Sequence, residues 1–322
     1  MPSYLPSLLY SLEIEIRKLF VCVLNCRTLP NPNVYFVTNV IFVFDGRVFV
    51  EGGWDRAIDA RKNTLCRGKP WVVLVTGLNG IRKTTAMQQP WFAELLFEAL
   101  SPQLNAESSL ADLTEEDMPT ASNSFFRQLD HLVATVGNEE FRRLYKRVDV
   151  QEYAKLKDAI FGRYRTVAEI CGMLLLKEAC KLSINCLVET SGRDIAMFDY
   201  IDYCFPSETH NKLVIHFSIN DVSFAEQSVK ERMIGEMVAG KEAVSTGSTE
   251  KIIYANAGGP YGWEQLKDVL QASNQVMDRI FGVESGYDDW LKVRVGIEAF
   301  KDKAWIARSL GQNSKFFEFE KR

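Results

Sequence analysis

Apolar positions along the chain follow two rhythms. A short unbroken apolar run, of the kind that a strand buried on both faces of a parallel sheet requires, occupies residues 71–75, and residues 184–189, 212–218 and 251–255 also read as strands. Between them, apolar residues recur at helical spacing over residues 124–147, 150–182 and 223–238. A further helix ending at Ile280 follows a turn at residues 258–263. Pro90 divides the segment after the first strand into a short helix, 83–88, and a second, 90–100. Strands alternating with long helices predict an α/β protein: a three-layer, doubly wound, mostly parallel sheet with helices on both faces. In such sheets ligands bind at the carboxyl ends of the strands.

The first 68 residues have a different pattern. Residues 5–26 space their apolar positions as an amphipathic helix does, and NVIFVFDGRVFV at residues 39–50 places Asp45-Gly46 between two Val- and Phe-rich runs, a hairpin signal. Residues 1–68 therefore read as a helix and β-hairpin appendage, and residues 69–322 as the main domain. Either appended element offers a surface for a protein partner. Residues 101–122, polar and rich in acids that include Glu107, Asp112, Glu115, Glu116 and Asp117, read as a surface loop.

Composition narrows the function classes. With 322 residues, 47% of them hydrophobic and 25% charged, the chain can bury a large core. A net charge of -4 lacks the basic footprint of a nucleic-acid binder, so no nucleic-acid partner is expected. Seven cysteines without a CxxC pair and three histidines give neither a zinc motif nor a disulfide framework, which fits reduced thiols in a cytoplasmic protein. The apolar stretch near the N-terminus is interrupted by Glu13, Glu15, Arg17 and Lys18, so stable membrane insertion is not expected.

Chemistry is most legible at VVLVTGLNGIRKTT, residues 72–85. The P-loop pattern GxxxxGK[ST] is met by Gly77, Lys83 and Thr84, while Arg82 stands at the second glycine. A strand leading into such a loop presents successive backbone N–H groups to phosphate, here from Gly77, Leu78, Asn79, Gly80, Ile81, Arg82, Lys83, Thr84 and Thr85. Gly77 and Gly80 supply unusual dihedrals, Lys83 reaches the terminal phosphates, and Thr84 offers a hydroxyl to magnesium. The Arg82 side chain either crowds this cradle or swings outward and adds a positive charge beside it. The motif predicts ATP and Mg as ligands and places the sheet among P-loop NTP hydrolase and kinase folds.

A second polar element closes the strand at residues 184–189: Glu189, Thr190, Ser191, Gly192 and Arg193. A carboxylate there can hold magnesium through water, accept a proton from an attacking hydroxyl, or bind a sugar hydroxyl. Thr190 and Ser191 add hydroxyls for a substrate, and Arg193 can pair with phosphate.

With GLNGIRKTT upstream, LVETSGR resembles the Glu-Gly-Thr-Gly-Arg segment of P-loop kinases of the zeta-toxin group, which phosphorylate a hydroxyl of UDP-N-acetylglucosamine or related small molecules. The resemblance spans residues 72–244. It implies an ATP-dependent phosphotransferase acting on a small-molecule phosphate acceptor such as a sugar nucleotide or nucleoside. In that family a catalytic aspartate follows the second strand, where the similar stretch at residues 123–127 offers Ser124. A neutral serine is no comparable base, so Asp130 or Glu189 is the expected substitute, with Asp117 a further alternative. Related kinases also bring lid arginines to the transferring phosphoryl group, for which Arg232 and Lys241 are the candidates and Lys230 a reserve. Gly240 and residues 245–249 suggest the mobile segment that a lid needs. Arg82 and Ser124 together support the alternative of a catalytically degenerate nucleotide-binding regulatory protein. No clear hhhhDE segment near the P-loop points to a plain NTPase. His131, His210 and His216 read as packed or hydrogen-bonded residues, and Trp91, Phe92 and Phe97 as core.

Overall fold

A computed structural model describes residues 69–100, 125–181, 183, 186–256, 258–260, 262–283, 285–301, 305–310 and 315–319. The appendage expected over residues 1–68, the loop at 101–122, and Asp117 and Ser124 lie outside them.

The first strand, β1 (Trp71–Gly77), is buried at all seven positions, as its unbroken apolar run demands of a strand covered on both faces. It leads through the glycine loop to α1 (Lys83–Ala86) and α2 (Pro90–Leu100). Helices α3 (Phe125–Val136), α4 (Asn138–Leu144) and the long α5 (Val150–Lys181) precede β2 (Cys186–Glu189). Then come α6 (Ala196–Cys204), β3 (Asn211–Ile219), α7 (Val222–Thr246) and α8 (Thr249–Ala255). A short 3-10 turn, Trp263–Gln265, opens α9 (Leu266–Phe281), and the chain finishes on β4 (Leu291–Ala299), β5 (Trp305–Leu310) and β6 (Phe316–Glu318).

The strands form one sheet in the order β2-β1-β3-β4-β5-β6. The first four are parallel, and β5 and β6 continue the sheet antiparallel. From β1 the chain moves to β2 on one side, then crosses β1 to lay β3 on the other and β4 beyond it. This reversal makes the carboxyl ends of β1 and β3 a topological switch point, the crevice in which open α/β sheets bind ligands. Val72 and Leu74 of β1, with Val188 and Val214 from its neighbours, pack on one face against Phe198, Ile201, Met277 and Ile280 of α6 and α9. At the far edge, Trp91 of α2 stacks on Phe317 of β6, with ring centres 5.0 Å apart.

Several expected elements differ from those observed. Residues 251–255 form part of helix α8, not a strand. The Ser248 hydroxyl accepts from the Lys251 N–H at 3.2 Å, and this N-cap starts a turn that buries Ile252 and Ala255 on one face. The helix expected to end at Val238 continues through Gly240 to Thr246, where Gly247 at φ 70 terminates it. Gly240 therefore interrupts nothing, and its role is steric: a Cβ there would lie 2.1 Å from the Tyr145 ring. The single helix expected over 124–147 is divided into α3 and α4 at Gly137. Strands β4, β5 and β6 were not anticipated; β4 buries only alternate positions, Val295, Ile297 and Ala299, toward its end. Among the described residues, no helix is long and apolar enough to cross a membrane.

Candidate functional site at the carboxyl end of the sheet

Glycine conformations and two apolar anchors shape the loop after β1. Gly77 and Gly80 adopt φ values of 136 and 87, in the region that side chains avoid. A Cβ on Gly77 would meet the Phe217 carbonyl at 2.4 Å, and one on Gly80 the Ala225 carbonyl at 2.5 Å, so the loop is pressed against β3 and the start of α7. Leu78 and Ile81 turn inward and are buried, which leaves only their backbone to a ligand.

Arg82 takes φ 64 and ψ 31, the left-handed conformation natural to a glycine. The backbone conformation natural to glycine is thus kept at this position although the glycine is not. Its side chain is exposed and lies over Trp305, with the guanidinium carbon 4.8 Å from the ring centre. Antiparallel pairing of Trp305 with Ala299, the last residue of β4, brings this tryptophan to the carboxyl end of the sheet.

Lys83 is 4% exposed and donates to the carbonyls of Gly77 at 2.7 Å and Leu78 at 2.9 Å. Burial lowers its pKa from 10.5 to about 8; the nearby Glu189 carboxylate opposes this fall and Arg232 adds to it. Parallel pairing puts Glu189 opposite Val75. Its carboxylate accepts from the Thr84 hydroxyl at 3.1 Å and stands 3.9 Å from Lys83 Nζ. A hydroxyl and a carboxylate this close are the hard oxygen donors that magnesium takes. The helix α1 is a single turn, so the backbone nest and Lys83, more than a helix dipole, supply the attraction for an anion.

The segment after β2 is tied to the same place. The Thr190 N–H donates to the Val75 carbonyl at 2.9 Å, and the Ser191 carbonyl accepts from Ser273 at 2.9 Å. Gly192, at φ 71, lies against Thr76, which a Cβ would approach to 2.9 Å. Arg193 follows in the loop, partly exposed. Behind the loop, buried Thr76 pairs its hydroxyl with His216 Nδ1 at 2.9 Å; burial, then Arg294 and Lys83, push this histidine down to about 4 and hold it neutral.

Arg232 lies near the loop on α7, its Nε 3.6 Å from Glu236 and its guanidinium 3.5 Å from the Gly259 carbonyl. Lys241 is not beside it. Nine residues further along α7 it faces the opposite side, about 14 Å away along the axis at the usual helical rise. Lys230 lies over the Trp263 ring at 5.8 Å. Asp130 of α3 accepts through its carbonyl from Asn256, and its charge is felt by Lys157.

Lys157, Glu236, Tyr153 and Trp305 were missed by reading the sequence. Lys157 and Glu236 are fully buried and 2.7 Å apart. Their signal was present: each stands at helical spacing among apolar residues, Lys157 between Tyr153 and Phe161, Glu236 between Met233 and Gly240. A charge at a position whose periodicity calls for an apolar residue marks a buried partner.

Comparison of the chain with family models, curated proteins and solved structures returns no match.

Proposed function

We propose that the chain is an ATP-dependent phosphotransferase with a three-layer, doubly wound P-loop kinase fold, resembling the zeta-toxin group, which moves the terminal phosphoryl group of ATP to a hydroxyl of a small molecule. The observation that carries this reading is the convergence of Lys83, Thr84 and Glu189 at the switch point, with Thr84 bonded to Glu189 at 3.1 Å. Lys83 and the loop N–H groups would hold the phosphates, and the Thr84 hydroxyl would hold magnesium, which lowers the charge barrier to attack when bound. Thr190, Ser191 and Arg193 line the way to an acceptor. In the reaction the acceptor oxygen bonds to phosphorus, the bond from phosphorus to the ADP oxygen breaks, and a carboxylate takes the hydroxyl proton. The proximity of Glu189 to Lys83 favours it over Asp130 for that task.

A second reading has its own support. An apolar strand beside β1 that ends in an acid bonded to the loop threonine is also how a P-loop NTPase arranges its magnesium site, with water as acceptor. The degenerate regulator is less well supported, because Arg82 keeps the glycine conformation and its side chain rests on Trp305. A cytoplasmic setting fits Cys180, Cys186 and Cys204 as thiols outside any disulfide.

Calorimetry with MgATP, followed by turnover of labelled ATP with and without a metabolite mixture, tests these readings. ADP release that depends on an added acceptor supports the kinase, release into water alone the hydrolase, and binding without turnover the regulator. Absence of MgATP binding, or a Lys83→Ala variant that binds as the parent does, would overturn all three.

A further inference from the structure

Helix α7 touches the loop along one stripe. Ala225 and Val229 abut Gly80, where a Cβ would lie 2.5 Å from the Ala225 carbonyl and 2.9 Å from Val229 Cγ2. Arg232 and Glu236 follow on the same face at spacings of three and four residues, so the guanidinium stands about one turn beyond the contact with the loop.

Its surroundings are built. Glu236 Oε1 faces Arg232 Nε at 3.6 Å, while Glu236 Oε2 accepts from Lys157 at 2.7 Å and from the Tyr153 hydroxyl at 2.9 Å. Lys157 also donates to the Gly258 carbonyl at 2.7 Å. A Cβ on Gly258 would come within 2.8 Å of Arg232 Nη1, so glycine lets the guanidinium lie against that backbone. Lys157 and Glu236 are 0% exposed, whereas Arg232 is 25% exposed. Lys157 thus anchors both walls that hold the arginine, the Glu236 carboxylate and the loop at Gly258.

Charge arithmetic gives the arrangement a purpose. A buried lysine–glutamate pair is seldom a net gain in stability over apolar residues of similar volume. A lone Glu236 beside Arg232 would form a neutral pair with little attraction for an anion. Lys157 donates to the Glu236 carboxylate, although burial lowers its pKa, so Arg232, the most exposed member of the cluster, does not face that carboxylate alone.

We infer that Lys157, Glu236 and Gly258 form a clamp that presets Arg232 for the terminal phosphoryl group of a nucleoside triphosphate seated on the Gly77–Thr84 loop. Glu236 and Lys157 are then positioning residues. The inference rests on the P-loop reading above.

Calorimetry of the full chain with MgATP and MgADP separates the possibilities. Arg232→Ala is expected to weaken MgATP about tenfold and to leave MgADP within about twofold, since only the triphosphate reaches the arginine. Removing both buried charges together, in Lys157→Met with Glu236→Met, avoids stranding either one; this variant keeps its thermal transition and still loses the preference for ATP. Lys83→Ala weakens both nucleotides, and if it weakens neither, the P-loop reading fails. If it does weaken both, yet Arg232→Ala or the double variant keeps the parental ratio of ATP to ADP affinity, the clamp is overturned.

Discussion

The Arg82 guanidinium carbon lies 4.8 Å from the ring centre of Trp305, while the Arg82 backbone stands at φ 64. The residue that breaks the P-loop pattern thus keeps the glycine conformation and directs its charge onto the aromatic ring at the start of β5. Left-handed backbone at a non-glycine residue costs about 1–2 kcal/mol, and an exposed cation–π contact returns about 0.5–1 kcal/mol. Arg82→Gly relieves the first, loses the second and frees the unfolded chain, so stability should change by less than about 1 kcal/mol. A double-mutant cycle with Trp305→Leu should recover a coupling of about 0.5–1 kcal/mol. MgATP affinity should stay within about threefold of the parent, because the replaced side chain was turned to Trp305. A larger loss would mean that Arg82 leaves the ring to bind phosphate.

Lys83 predicts opposite pH trends for stability and binding. Its pKa of about 8 in the folded chain lies below its ordinary 10.5, so between these values the unfolded chain holds the extra proton and stability rises with pH. A bound phosphate raises the pKa of the same ammonium. On the proposed nucleotide-binding reading, affinity should therefore be complete below about pH 8 and fall by up to about tenfold per unit above it. Lys83→Met should flatten both curves. Urea unfolding and calorimetry from pH 7 to 10 read them directly.

His216 makes the fold sensitive to acid. Held neutral to about pH 4 against an ordinary 6.5, it binds its proton more readily in the unfolded chain, so stability is lost as pH falls through this interval. The loss attributable to this residue is on the order of 3 kcal/mol across the window. In His216→Gln the urea midpoint should fall less steeply between pH 7 and pH 4 than in the parent. An unchanged slope would show that another group carries the effect.

Gly240 sits inside α7, where alanine would ordinarily add about 1 kcal/mol to helix stability. Its Cβ, however, would come within 2.1 Å of the Tyr145 ring, whose hydroxyl bonds to the Ile252 carbonyl at 3.3 Å and hinders retreat. Overpacking of this kind costs about 1–3 kcal/mol, so Gly240→Ala should lower the melting temperature despite its propensity. A rise would favour the reading of Gly240 as a flexible joint.

Much of the sheet was legible because local pattern decides it. The apolar runs at β1 and β3 and the long helical period of α5 match the observed elements closely, and the glycines of the loop have the positive φ that their motif requires. Residues 251–255 were misread because a four-residue apolar run, 252–255, carries no period long enough to separate strand from helix. The Ser248 cap and the burial of Ile252 with Ala255 decided it. Lys241 was grouped with Arg232 by charge and nearness in sequence, whereas nine residues on an unbroken helix place the two on opposite faces.

The order of residues alone determined that a strand ends in a glycine loop followed by Lys83 and Thr84 and that another ends in Glu189-Thr190-Ser191-Gly192-Arg193. Strand pairing decided that the two ends meet, since the register opposing Val75 to Glu189 follows from which strands lie side by side. Tertiary packing also decided that Arg82 rests on Trp305 and that Lys157 lies buried between Glu236 and Gly258. These partners are far apart in the chain, and contacts of that kind arise only once the sheet order and helix faces are set.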